Sequence, residues 1–367
     1  MRDLISVIGA GTSGLIAARR LGELGLESTV YDQKSVLGLP VRASGILSIT
    51  GLEGLGMDYS GCVTNTLYGA NIHSGGKTLR VVSNEPMASV LDRKKLNDSC
   101  YDQAVRAGAK LLTGRRITGA ELESLSVRGI VIGADGAASS VASHFGFGEI
   151  RKFALTYKAE FEIEAPESGV VDLFFDRNEY RGLFAWTCPN QSDILEVGVG
   201  VLSGFGNAKA AFDNFVKSKV ISELVGNRKP VTEGASIIPL SMRRNIVNES
   251  RRVVLVGDAA GQVKPTTGGG IIFGGNGALI AAGAVARHLA NGSPLSNYET
   301  EFRRRYGLDL KLHSLINGLY SSFGPSGMGN VISALNVFGI DRFLSDYGDM
   351  DRPSLILKRF FLRGLAR

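Results

Sequence analysis

The stretch LISVIGAGTSGLIAARRLGELGLESTVYD, residues 4–32, decides the fold. Leu4–Ile8 is a short apolar run closed by glycine, which reads as a buried strand. Gly9, Gly11 and Gly14 follow in GxGxxG spacing, with Ser13 in the turn they open. Leu15–Leu24 then repeats apolar residues at the helical period, and Ser28–Asp32 reads as a second strand. Each glycine has its own reason: the first allows a tight turn, the second lets backbone approach a pyrophosphate, and the third lets helix pack closely on sheet. The helix N-terminus offers unpaired N–H groups to phosphate. Asp32, at the end of the second strand, stands where a carboxylate accepts ribose hydroxyls. The spacing therefore predicts a dinucleotide-binding βαβ unit.

Two loops further along decide which dinucleotide. Gly133-Ala-Asp135-Gly136 follows the apolar strand Gly129–Gly133, and Gly257-Asp258-Ala-Ala-Gly261 follows Arg252–Val256. Either aspartate would serve as an ordinary helix cap. Two of them, in this order behind GxGxxG, point instead to FAD, and the second resembles the flavoprotein GD signature whose aspartate bonds the ribityl chain. Pro265-Thr-Thr-Gly268-Gly269-Gly270 then opens a long helix at Ile271–Leu289. Consecutive glycines at a positive helix end expose N–H groups suited to charge on the pyrimidine edge of a reduced flavin. Gly268, Gly269 and Gly270 are thus the expected flavin-ring loop, while no residue is assigned as proton donor.

The chain has 367 residues, 44% of them hydrophobic, with 48 glycines, enough for about two domains. Lys95–Ala107 reads as a helix leading into a strand at Ala109–Leu112. The middle changes character, with strands expected at Phe153–Glu164, Val170–Phe175, Leu183–Thr187 and Ile194–Val201, then a helix at Asn207–Val220. The expected class is α/β, a Rossmann-type FAD-binding domain interleaved with an antiparallel-sheet substrate domain and followed by a helical C-terminal part. The expected boundaries are 1–60, 88–150 and 245–300 for the first, 61–87 and 151–244 for the second, and 301–367 for the third.

Cys62, Cys100 and Cys188 are odd in number and lack CxxC spacing, which suits a reducing cytoplasm rather than a disulfide framework. His73, His144, His288 and His313 are scattered, so no metal site is expected. No signal peptide is read at the N-terminus. Residues 265–286 carry no charge, but glycines and Asn276 break the run, so it reads as a buried helix with its entry turn. The net charge of +6 gathers partly at the end, where Arg352, Lys358, Arg359, Arg363 and Arg367 alternate with Leu355, Ile356, Phe360, Phe361 and Leu365. Such a tail either packs on the body or lies on an anionic membrane. Nucleic acid is not an expected partner.

Several of these motifs together resemble the geranylgeranyl reductase family of hydroxylase-like flavoproteins. GDAAGQVKPTTGGGI at 257–271, ending on Ile271, is similar to that family's form, as is LDRKKLND at 91–98. The resemblance implies that Arg93 contacts the flavin's phosphate region. Leu39-Pro40-Val41-Arg42 is similar to the family's loop after the second strand, which places Arg42 at the cofactor. Phe184-Ala-Trp186-Thr-Cys188-Pro189, followed by Gly198-Val-Gly200, resembles the strand pair that lines the family's isoprenoid pocket. Phe184 and Trp186 serve equally well as plain sheet core. The likeness runs from about residue 4 to 290 and departs at Ala43, where the family often has cysteine, at Phe184 for tyrosine and at Cys188 for phenylalanine.

The resemblance implies reduction of double bonds in a polyprenyl lipid, with hydride from flavin N5. No second GxGxxG lies in a βαβ setting, which leaves a small electron-carrier protein or NAD(P)H bound otherwise as reductant. An aromatic-ring monooxygenase on the same fold is the first alternative. Such enzymes carry PxxGxGxN followed by an acid, where this chain has Ile272 and Gly277. A non-catalytic prenyl-binding protein is the second, against which the intact flavin motifs speak.

Overall fold

The computed structural model describes residues 4–41 and 43–365. Leu4–Ile8 lies inside a six-stranded sheet ordered Val247–Asn248, Val253–Leu255, Gly129–Gly133, Leu4–Ile8, Thr29–Tyr31, Lys110–Leu112. All neighbours are parallel except the outermost pair, Val247–Asn248 with Val253–Leu255. Gly129–Gly133 and Val253–Leu255 are buried throughout, which explains their unbroken apolar sequences. Helix Thr12–Glu23 packs against helices Arg93–Arg106 and Ile271–Asn291.

The turns leaving three adjacent strands converge at the sheet's carboxyl edge, where open parallel sheets bind ligands. Their backbones interlock. Ala134 N donates to Ile8 O at 2.7 Å, and Val256 N to Gly133 O at 2.9 Å. Gly9, at φ +108°, sits so close that a Cβ there would lie 2.3 Å from Ala134 O.

A second sheet has seven strands, ordered Thr232–Pro239, Phe153–Glu162, Ile194–Leu202, Ala185–Gln191, Val170–Phe174, Gly69–Ser74, Lys77–Val82. It is antiparallel except where Val170–Phe174 runs parallel to Gly69–Ser74. The alternation of residues gives it two faces. Ala159, Phe161, Val197 and Val199 pack on one side with Phe212, Phe215 and Ile221 of helices Ala208–Lys217 and Lys219–Val225. These two helices replace the single one expected, the break falling at Ser218. Thr156, Lys158 and Trp186 point to the other side, as part of a cavity wall. A small sheet of Ile46–Ser48, Ala88–Leu91 and Val63–Leu67 completes the strands.

The uncharged run becomes a glycine loop and then helix Ile271–Asn291, most of whose apolar residues are buried. Helices Asn297–Ser322, Pro325–Val337, Ile340–Tyr347 and Pro353–Leu365 follow. Among the described residues, no helix is long and apolar enough to cross a membrane.

Candidate active site

A cavity of about 390 Å³ opens between the carboxyl edge of the parallel sheet and the second sheet. One end is lined by Gly11, Ser13, Arg93, Gly136, Gly257 and Asp258, and the middle by Gly268, Gly269, Gly270 and Ile271. The other end is lined by Phe184, Trp186, Leu173, Thr156 and Lys158. The three cofactor motifs and the aromatic strand pair thus share one space.

The residues at the first end fit FAD. A Cβ on Gly11 would meet nothing within 4 Å, so the backbone there is open to a pyrophosphate, whereas one on Gly14 would lie 2.0 Å from Gly9 O. Arg93 is half-buried, and its Nη1 is buried with no hydrogen-bond partner among the described residues, a donor suited to a ligand's acceptor. Burial pulls its guanidinium below the usual range, which a phosphate would reverse. Asp258 faces Arg93 across this end. Burial pushes its carboxyl up to about 6, against the pull of the Arg93 charge. A buried chain holds the Asp258 loop: Gly257 N donates to Gln262 Oε1 at 2.8 Å, Gln262 Nε2 to Tyr298 Oη at 2.8 Å, and Tyr298 Oη to Leu255 O at 2.7 Å.

Two expected cofactor residues have their carboxylates engaged locally. Asp32 accepts from Ala10 N at 2.7 Å and Lys34 N at 2.8 Å, tying the glycine turn to the second strand. Asp135 accepts from Ser139 Oγ at 2.5 Å, Ser140 N at 2.7 Å and Val141 N at 3.1 Å, at the start of helix Ser140–His144, whose cap is Ser139. Its neighbour Gly136 lines the cavity. Arg42 lies outside the described residues, while Ala43 beside it lines the cavity.

The glycine loop Gly268–Gly270 and the residues leading into it are held from behind by the C-terminal helices. Thr266 Oγ1 meets His313 Nδ1 at 2.8 Å, Tyr320 Oη donates to Thr266 O at 2.9 Å, and Asn317 Nδ2 to Pro265 O at 3.0 Å. Lys264, which lines the cavity, donates from Nζ to Asp351 Oδ1 at 2.5 Å. Ser48 also donates to Asp351. Burial pushes the Asp351 carboxyl up, but Lys264 and Ser48 more than offset this and hold it below the ordinary range.

At the far end Phe184 and Trp186 line the cavity, whereas Cys188, Pro189, Gly198 and Gly200 do not. Cys188 is a buried thiol in the sheet core, raised well above its usual value by burial. The glycines act from beneath. A Cβ on Gly198 would lie 2.1 Å from Trp186 Cζ2, and one on Gly200 2.3 Å from Leu183 Cδ2. Sequence reasoning missed a buried polar group here. Glu196 accepts from Trp186 Nε1 at 2.8 Å, from Lys158 Nζ at 2.6 Å and from Ser44 Oγ. Burial pulls the Lys158 ammonium down, but Glu196 and Glu160 outweigh it and raise it overall. The signal available in the sequence was the alternation of Thr156, Lys158 and Glu160 against Tyr157, Ala159 and Phe161.

A family model described as an NAD(P)-binding Rossmann-like domain matches residues 7–51. Digeranylgeranylglycerophospholipid reductase 1 of Methanothermobacter thermautotrophicus is 30% identical over 359 residues, spanning 90% of this chain and 89% of its own. The crystal structure of a geranylgeranyl bacteriochlorophyll reductase-like protein of Thermoplasma acidophilum matches with a TM-score of 0.81 at 18% identity, over 97% of this chain and 95% of its own. The flavin-dependent halogenase CmlS matches at 0.64 with 18% identity, over 85% of this chain and 63% of its own. These two likenesses show the fold. With the sequence match across nine-tenths of its length, the chain belongs to the digeranylgeranylglycerophospholipid reductase family and is an FAD-dependent oxidoreductase.

Proposed function

We propose that the protein saturates carbon–carbon double bonds of a polyprenyl lipid of the geranylgeranyl type. The observation that carries this reading is the shared cavity, in which the glycine loop Gly268–Gly270 faces the same space as the apolar wall of Phe184, Trp186 and Leu173. When bound, reduced FAD supplies the hydride that one alkene carbon accepts while the other gains a proton. The chain's own part is to hold the cofactor through Gly9, Gly11, Ser13, Gly14, Arg93 and Asp258 and to present Gly268–Gly270 to its ring. Phe184 and Trp186 lay an isolated alkene against that ring and exclude water, so that orientation lowers the barrier. Gly277 supports the choice over a monooxygenase. A side chain there would strike Gln262 at 2.2 Å, so the acid of those enzymes has no room.

The lipid is met at a membrane surface. Leu308, Leu315 and Leu319 are exposed on helix Asn297–Ser322 and flanked by exposed Lys311. Helix Pro353–Leu365 is fastened at its start, where Arg352 Nε donates to Asp309 at 2.7 Å, and then exposes Phe360, Phe361 and Leu362 beside Lys358 and Arg359. Apolar residues rimmed by cations suit the interface of an anionic bilayer. Of the remaining tail, Arg367 and the side chains of Arg363 and Leu365 lie outside the described residues. The electron donor is NAD(P)H or a small electron-carrier protein.

The direct test is product mass after anaerobic incubation of dithionite-reduced protein with a geranylgeranyl glycerol ether. A gain of two hydrogens per double bond is expected, and an unchanged lipid would remove the reading.

A further inference from the structure

The cavity floor is divided in a way that saturating a hydrocarbon does not require. Its Ala185–Gln191 and Val170–Phe174 half presents Phe184, Trp186 and Leu173. Its Phe153–Glu162 and Thr232–Pro239 half presents Thr156, Lys158 and Ser236, with Ile238 at the side of the glycine loop. Strand Ile194–Leu202 runs between them, with Gly198 and Gly200 paired to Lys158 and Thr156 beneath the cavity and Glu196 bonded to Lys158 and Trp186. A lipid tail needs the first half alone. Polar groups left facing hydrocarbon in the second would cost desolvation with no return.

Lys158 sets what the polar half accepts. Two of its three N–H bonds are directed to Glu196 Oε2 at 2.6 Å and Glu160 Oε1 at 3.1 Å, which leaves one donor for a ligand on the cavity side. One ammonium stands against two carboxylates, so the cluster offers a hydrogen bond without net positive charge. The other cavity lysine, Lys264, is compensated in the same manner by Asp351. A phosphate brought to Lys158 would meet Glu160 and Glu196 in the same hydrogen-bonded group, whereas an ether or hydroxyl oxygen would accept the remaining N–H without opposition.

We propose that the polar half of the floor seats the oxygen at the head of the prenyl chain, and that Lys158 with Glu160 and Glu196 selects an uncharged oxygen and excludes a phosphate. This rests on reading the cavity as a prenyl pocket. A phosphorylated lipid then binds with its phosphate outside the cavity and its ether oxygen at Lys158.

Calorimetric titration of the flavin-loaded protein with farnesol, farnesyl methyl ether and farnesyl phosphate tests it. The alcohol and the ether are expected to bind at least about tenfold more tightly than the phosphate. E160Q, an isosteric change at the partly exposed edge of the cluster, is expected to tighten the phosphate about fivefold and leave the alcohol within about twofold. K158M is expected to weaken alcohol and ether while the flavin spectrum is unchanged. Equal affinity for alcohol and phosphate, or a ratio that E160Q does not move, overturns the selection while leaving the prenyl pocket in place. Failure of all three ligands to bind overturns both.

Discussion

The proposed contact with FAD gives Asp258 two states with opposite demands. In the protein without FAD, burial raises its carboxyl to about 6, above the ordinary 3.8. The folded chain therefore binds more protons than the unfolded chain between those values, so this residue's contribution to stability falls as pH rises through that window. A ribityl hydroxyl, by contrast, is best accepted by the ionised form. D258N is expected to stabilise the FAD-free protein above pH 6 by at most about 3 kcal/mol. The same change weakens FAD binding, and wild-type affinity for FAD drops as pH falls below about 6. Melting curves of the FAD-free protein and flavin titrations across pH 5–8 check both signs; D258N that binds FAD as wild type would remove Asp258 from the site. Gly198 poses a purely steric demand. G198A places a methyl 2.1 Å from the Trp186 ring and is expected to cost about 1–3 kcal/mol in denaturant unfolding while shifting the emission of Trp186, the chain's one tryptophan.

At the scale of elements, the ion pair between Lys264 and Asp351 fastens the segment before the last helix to the glycine loop Gly268–Gly270. Both partners are buried, so D351N leaves an uncompensated ammonium inside the cavity. It is expected to cost about 3–5 kcal/mol in denaturant unfolding, with K264M/D351L recovering most of the loss. A double variant no better than the single would assign the cost to Ser48 and His313 instead. This clasp was illegible in the sequence, because 87 residues separate its partners and nothing periodic links them. Elements whose signal is local were legible. The GxGxxG turn follows from backbone sterics within six residues, and the buried strands Gly129–Gly133 and Val253–Leu255 follow from unbroken apolar runs. Residues 61–87 were expected in the antiparallel-sheet domain, but the strands Gly69–Ser74 and Lys77–Val82 within them were not individually legible, since they are short and half-exposed and gain their place by pairing with Val170–Phe174. The polar alternation in Phe153–Glu162 was visible as period two. That its polar face turns to a cavity rather than to solvent depends on which sheet face the helices cover, and that is a tertiary fact.

Across the whole molecule, the parallel sheet supplies the end proposed for the cofactor, the second sheet supplies the floor, and the C-terminal helices close the back of the glycine loop while exposing leucines and phenylalanines outward. The site residues fall on loops and sheet faces from all three, which is why single motifs identified the cofactor end more readily than the substrate end. The proposed membrane contact belongs to this scale. Co-sedimentation with anionic vesicles is expected to weaken as salt screens Lys311, Lys358 and Arg359, and to fall on truncation after Asp351. Vesicle binding indifferent to both would place the membrane contact elsewhere. The central claim, that flavin and prenyl chain share one cavity, is tested most directly by anaerobic stopped-flow reoxidation of the stoichiometrically reduced protein. The account predicts recovery of the oxidised flavin band on mixing with a geranylgeranyl lipid, at a rate that rises with lipid concentration. A reduced flavin indifferent to prenyl lipid, yet reoxidised by oxygen with hydroxylation of an aromatic compound, would contradict it.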